Sequence, residues 1–164
     1  ALENYGWRLG TGFLSTPFIL FVLEKIGVEY AYRLLENEKL PGWLVMPKYG
    51  ATTVWEDWEG DRASDQNAAS LNHYSKGAVC EWLMSEMCGI KVAGENQFLI
   101  APKPGGSLTY AKAEYQSIYG KVSCGWERTE KGYRYTVTLP SNTTARLILP
   151  DGREDVLSSG IYQL

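Results

Sequence analysis

The chain has 164 residues, 45% apolar and 21% charged. That suits the packed core of one ordinary domain or two small ones and argues against disorder. Sixteen lysines and arginines stand against nineteen aspartates and glutamates, a net charge of −3. With no basic block anywhere, nucleic acid and anionic membranes are not expected as partners. The longest apolar run, Phe18 to Leu23, is too short to span a bilayer. The opening ALENYGWRLG has neither a basic nor an apolar leader region, so no signal peptide is expected.

The chain changes period near its middle. Residues 1 to about 95 read as helical, and residues 97–164 read as strands separated by turns. Thr16 is expected to cap the first helix, with Pro17 in the first helical position, where a missing N–H costs nothing. Phe18, Ile19, Leu20, Phe21, Val22, Leu23 and Ile26 are apolar nearly all round, so burial on most sides is expected. Gly27 reads as the residue that ends this helix. A second helix follows from about Val28 to Asn37, with Val28, Ala31, Leu34 and Leu35 inward. A short third piece runs from Pro41 to Gly50.

Residues 50–70 carry no sustained period, and a loop this long inside a compact domain is usually functional. Helix is expected to resume near Leu71 behind Ser70 as cap and to stop at Gly89. Leu71, Tyr74, Ala78, Val79, Trp82, Leu83 and Met87 form its apolar face, and Lys76, Glu81 and Glu86 its solvated one. Cys80, Cys88 and Cys124 are an odd set without a CxxC pair, which excludes a disulfide scaffold and a Cys-rich zinc site. They are expected to be small buried hydrophobes in a reducing compartment, and the expected location is cytoplasmic.

In the second half, Ile118, Val122, Cys124 and Trp126 share one face. Tyr133, Tyr135, Val137 and Leu139 share another, as do Ala145, Leu147 and Leu149. Glu130-Lys131-Gly132, Ser141-Asn142 and Pro150-Asp151-Gly152 are the turns. Six to eight short antiparallel strands should make a small sandwich. The fold class is therefore α+β. Three or four helices, one apolar nearly all round, do not close a core, so the first half looks like the end of a helical-barrel array. Self-association, or a missing N-terminal barrel portion, is expected to cover that face.

Twenty-one aromatic residues, six of them tryptophan, suit either core packing or a carbohydrate site, because sugar C–H faces stack on flat rings. Glycoside hydrolysis needs two carboxyl groups across the scissile bond. The best candidate is Glu56, between Trp55 and Trp58 in a glycine-bounded loop. A carboxylate between indole walls is desolvated, which raises its basicity, as a general base requires. Spacing alone does not separate it from Asp57, Glu59 and Asp61 or from a surface acid beside core tryptophans. His73, the only histidine, follows the long loop. It could hydrogen-bond a sugar hydroxyl or simply cap the helix.

Longer motifs add a resemblance. GTGFLSTPFIL (10–20), PGWLVMPKYGATTVWEDWEG (41–60), SLNHYSKGAVCEWL (70–83) and IAPKPGGSLTYAKAEYQSIYGKVSCGW (100–126) are similar to the C-terminal end of bacterial α-L-rhamnosidases. LPSNTTARLILPDG (139–152) is similar to that family's sandwich hairpin. The resemblance implies the C-terminal helices and active-site loop of an (α/α)6 barrel over 1–95 and a β-sandwich over 96–164. It implies an inverting glycosidase that releases terminal α-L-rhamnose from a glycoside or oligosaccharide, with no metal or organic cofactor. Glu56 then corresponds to the general base and His73 to a rhamnose contact, while the general acid has no counterpart here. Trp55 and Trp58 are expected to shape the pocket. The alternative is a carbohydrate-binding or assembly module that is inactive on its own.

Overall fold

A computed structural model of the chain describes residues 2–60 and 69–164. Asp61 and most of the polar run 62–70 lie outside the described residues. The chain forms two compact units, 1–80 and 81–164.

In the first unit a 3-10 turn, Thr16–Phe18, leads into α1 (Ile19–Glu24), and α2 (Val28–Leu35) follows. Thr16 does not cap this helix. Its Oγ1 lies 2.9 Å from the Gly12 carbonyl and 3.1 Å from that of Thr11, so the hydroxyl is spent on the preceding loop. Gly27 is extended, with φ 176°, and leads into α2; it is not a left-handed cap of α1. The inner stripe of α2 is Ala31, Tyr32, Leu34 and Leu35. Leu20 and Leu23 of α1 are buried, whereas Phe18, Val22 and Ile26 stay 62%, 52% and 73% exposed. The burial on most sides expected for this helix is not reached among the described residues.

The third piece is α3 (Val45–Lys48), and Gly50 leaves it with φ +81°. Beyond the loop, one continuous helix from Leu71 does not form. The chain makes α4 (Tyr74–Gly77), α5 (Val79–Trp82) and a π-helical turn, Leu83–Met87. Ser70 and Leu71 are occupied by hydrogen bonds to the loop, and Asn72 is bonded to the Ser70 hydroxyl, so α4 starts only behind its cap His73, whose Nδ1 accepts from the Ser75 amide.

The second unit holds β1 (Ile90–Val92), β2 (Gln97–Ile100), β3 (Tyr110–Ser117), β4 (Gly120–Thr129), β5 (Gly132–Leu139), β6 (Thr144–Ile148), β7 (Glu154–Leu157) and β8 (Gly160–Gln163). One sheet has the order β1-β2-β6-β7, the other β3-β4-β5-β8. Every pairing is antiparallel except β2–β6, which is parallel. The all-antiparallel expectation fails there because β3 to β5 join the other sheet before the chain returns as β6. Phe98, Ile100, Ala145 and Leu147 from one sheet and Val122, Cys124, Trp126, Val137 and Leu139 from the other are buried. A contact between Phe98 and Tyr115 joins the two layers. Ile118 is 89% exposed, because it sits in the β3–β4 turn and not on the inward face. Cys88 and Cys124 are buried, and burial pushes their thiols up to about 11 and about 12. Cys80 is exposed, against expectation.

Two contacts tie the π-helical turn to the strands. Trp126 donates its Nε1–H to the Met87 carbonyl at 2.9 Å. Glu86, 5% exposed, accepts from Lys91 at 2.6 Å and Lys103 at 2.7 Å. It therefore does not lie on a solvated helix face. Desolvation pushes the Glu86 carboxyl up, but the hydrogen bonds from Lys103 and Lys91 outweigh it, so its pKa lies below the ordinary 4.5. A carboxyl lowered in the folded state contributes stability above its unfolded value, and that stability is lost as pH falls through the folded value. Glu86→Gln is expected to cost about 1–3 kcal/mol near pH 7. Its deficit against the unsubstituted chain should shrink below pH 4.5. Urea denaturation at neutral and at acid pH checks both.

Candidate active site

The loop after α3 is anchored before it reaches its acidic residues. The Ala51 amide donates to the Met46 carbonyl at 3.0 Å, and the Trp55 amide points at Met46 Sδ at 3.3 Å. Trp55 is buried, and its ring lies against Gly60. Gly60 has φ +58°, and a Cβ there would sit 2.2 Å from the indole, so only glycine fits this turn.

Residues 53–56 and 70–73 then run side by side, joined four times. The Glu56 amide donates to the Ser70 carbonyl and the His73 amide to the Val54 carbonyl, each at 2.8 Å. The Ser70 amide donates to Glu56 Oε2 at 2.8 Å, and the Thr53 hydroxyl donates to the Leu71 carbonyl. This pairing places two residues seventeen positions apart, Glu56 and His73, on one short ladder. The segment's acids differ in setting. Glu56 is half-buried with one carboxylate oxygen held; Asp57 and Glu59 are exposed, with the Glu59 amide donating to Asp57 Oδ1 at 3.1 Å.

His73 packs between Phe13 (5.3 Å) and Tyr74 (4.9 Å), measured between ring centres. Its Nδ1 accepts from the Ser75 amide at 3.3 Å and lies 2.9 Å from Ser75 Oγ. An accepting Nδ1 puts the proton of the neutral ring on Nε2, which has no partner among the described residues and is left as a donor. A cavity of about 740 Å³ beside it is lined by Val54, Asn72, His73, Tyr74, Gly77, Ala78 and Cys80. His73 is thus both the helix cap and a wall of the cavity.

Trp58 is half-buried and meets Trp43 edge to face at 5.9 Å. Under both lies Lys76, only 5% exposed and not on the solvated face that helical spacing suggested. Its Nζ donates to the Glu56 carbonyl, and its own carbonyl accepts from Trp43 Nε1 at 3.0 Å. Phe13, Ser70 and Lys76 are not expected at this site from the sequence, because each lies far along the chain from Glu56 and nothing in its own residue type points there.

Residues 1–87, more than half of the chain, match the domain described as the bacterial alpha-L-rhamnosidase 6 hairpin glycosidase domain. The chain belongs to the bacterial α-L-rhamnosidase family. Residues 91–162 match the C-terminal domain of bacterial alpha-L-rhamnosidases. An alpha-L-rhamnosidase of Streptomyces avermitilis is 39% identical over 163 residues, which is 94% of this chain and 16% of that protein. One from Formosa agariphila is 39% identical over 92% of this chain and 17% of its own length. The chain therefore spans about a sixth of these relatives. Among solved structures, the S. avermitilis alpha-L-rhamnosidase complexed with L-rhamnose superimposes with a TM-score of 0.89 at 33% identity, over 99% of this chain and 18% of that one. The native Aspergillus terreus alpha-L-rhamnosidase gives 0.88 at 27% identity, over 99% of this chain and 20% of that one.

In this chain two glycines of the loop should respond differently to a methyl group. Gly50 has φ +81° but open space around it, so Gly50→Ala meets backbone strain alone, about 1–2 kcal/mol. Gly60→Ala adds a collision with Trp55 and is expected to cost about 2–4 kcal/mol. Thermal unfolding checks the order, and a change in tryptophan emission should accompany Gly60→Ala only.

Proposed function

We propose that residues 1–95 are the closing helices and active-site loop of an (α/α)6-barrel glycosidase and that 96–164 are its terminal sandwich. The reaction is removal of terminal α-linked L-rhamnose with inversion, and Glu56 is the general base. The observation that carries this reading is the ladder that holds Glu56 Oε2 on the Ser70 amide and sets His73 beside the same turn. Fixing one oxygen on a backbone N–H leaves Oε1, which has no partner among the described residues, for water. The family membership supports the substrate class, and a solved relative is described as complexed with L-rhamnose.

The chemistry then runs in one displacement. Glu56 Oε1 takes a proton from water as the water oxygen attacks the anomeric carbon. The glycosidic C–O bond breaks on the opposite face, and a second carboxylic acid, with no counterpart in this chain, protonates the leaving oxygen. The two carboxyl groups of an inverting pair stand about 6.5–9.5 Å apart, with the water between them. His73, with Nε2–H as donor, binds a sugar hydroxyl. Trp58, which is not among the residues lining the cavity beside His73, packs on Trp43 and Lys76 and shapes the Glu56 side of the site, and Trp55 acts by fixing the turn at Gly60.

Substitutions in the full-length enzyme separate these roles. Glu56→Gln keeps the shape but accepts no proton, so kcat should fall by about 10²–10⁴-fold with little change in KM. Azide needs no deprotonation and should restore turnover to Glu56→Gln, giving the β-configured rhamnosyl azide. His73→Ala should weaken binding and turnover together, by about 1–3 kcal/mol, and should not respond to azide. Near-normal turnover by Glu56→Gln would assign the base elsewhere.

A second reading, a sugar-binding or assembly module, is favoured by the exposed apolar face Phe18, Val22 and Ile26. On either reading the 164-residue chain by itself is expected to hydrolyse aryl rhamnosides far below about 1 per second, the lower end of ordinary enzymes. It is also expected to self-associate. Chromogenic assay and light scattering on the purified chain check both.

A further inference from the structure

Lys76 is a buried cation that the reaction described above does not use. Its ammonium donates to the main-chain carbonyl of Glu56. Two aromatic faces close over it, Trp58 at 4.5 Å and Phe13 at 5.2 Å from the ring centres. Its own carbonyl accepts from Trp43 Nε1, so the lysine is held at both ends. Charges this deep are retained only where partners replace water. Here the partners are one carbonyl, two π-faces and the nearby carboxylates of Asp57 and Glu56.

We propose that Lys76 is a positioning residue: held under Trp58 and Phe13, it fixes the main chain of Glu56 from the side opposite the Ser70 ladder. The inference rests on Glu56 being the base. Its physical logic is geometric. The Glu56 amide is bonded to the Ser70 carbonyl, and one carboxylate oxygen is bonded to the Ser70 amide. The Glu56 carbonyl is the remaining main-chain anchor, and Lys76 supplies it. With amide, carbonyl and one carboxylate oxygen all held, the free oxygen has little room to move. A base that drifts by about 1 Å loses on the order of 10²-fold in rate. Burial pushes the Lys76 ammonium below the ordinary lysine range, and the carboxylates of Asp57 and Glu56 work against that push, which fits a charge kept by its neighbours.

The pairing also explains a local oddity. Trp58 is neither fully buried nor free; its ring is fixed by Trp43 on one edge and by the cation on its face. Lysine, tryptophan and glutamate therefore form one support, contributed by α4 and the 50–60 loop.

The test uses the full-length enzyme with three variants. Lys76→Met keeps the aliphatic stem between Trp58 and Phe13 but removes the charge and the donor. Lys76→Arg keeps both. Lys76→Met is expected to lower kcat by about 10- to 100-fold while KM stays within about twofold. It should also speed amide exchange at residues 54–58 and leave the rest of the chain unchanged. Lys76→Arg should recover most of both losses. Wild-type kcat together with unchanged exchange in Lys76→Met would overturn the proposal. So would a loss of exchange protection throughout the chain, which marks a plain structural plug. Glu56→Gln, run in parallel, isolates the parent reading. If it stays active, the base assignment fails, and the exchange data alone decide whether Lys76 holds the Glu56 main chain.

Discussion

The short ladder between residues 53–56 and 70–73 is the constraint on which the candidate site depends. Neither segment belongs to a regular sheet, and each would be exposed loop without the other. Two main-chain bonds and two bonds to side chains replace what secondary structure would otherwise provide. Because buried backbone groups must be paired, a loop that carries function has to find its partners in another loop. The same bonds consume Ser70 and Leu71, which is why α4 begins behind His73 and not behind Ser70. The geometry of the candidate site and the helix boundary are one event.

Two buried charges show two ways of keeping an ion out of water. Glu86 is satisfied by two lysines, a network of charge-assisted hydrogen bonds that pins the π-helical turn to the strands of its unit. Lys76 is satisfied mostly by neutral groups, a carbonyl and two aromatic faces. The first arrangement holds a fold together. The second leaves its carboxylate neighbour, Glu56, with one oxygen that has no partner among the described residues, as the proposed water activation requires. Sequence placed both residues on a solvated helix face, since helical spacing cannot tell a charge that meets water from one that meets a partner.

The apolar face of α1 carries a related lesson. Leu20 and Leu23 pack inward, and Phe18, Val22 and Ile26 do not. A helix apolar on nearly all sides is built for more neighbours than α2 alone. The relatives are about six times the length of this chain, and the proposal of a barrel accounts for the face directly.

What the sequence determined by itself was the local chemistry. Alternation marked β4, β5 and β6, because side chains on a strand must alternate between core and solvent. Gly50 and Gly89 marked the ends of helical pieces and Gly60 bounded the loop, and each has positive φ. His73 stood out as the only histidine, and long motifs carried the family and, through the resemblance, separated Glu56 from the other acids of its segment. Tertiary structure decided the rest. It paired β2 with β6 in parallel and turned Thr16 back to its own loop. It left Cys80 outside, moved the helix cap to His73 and drew Lys76 beneath Trp58. Each of these outcomes depends on a partner distant in sequence or on a competing hydrogen bond, and neither can be seen in the residues that flank it.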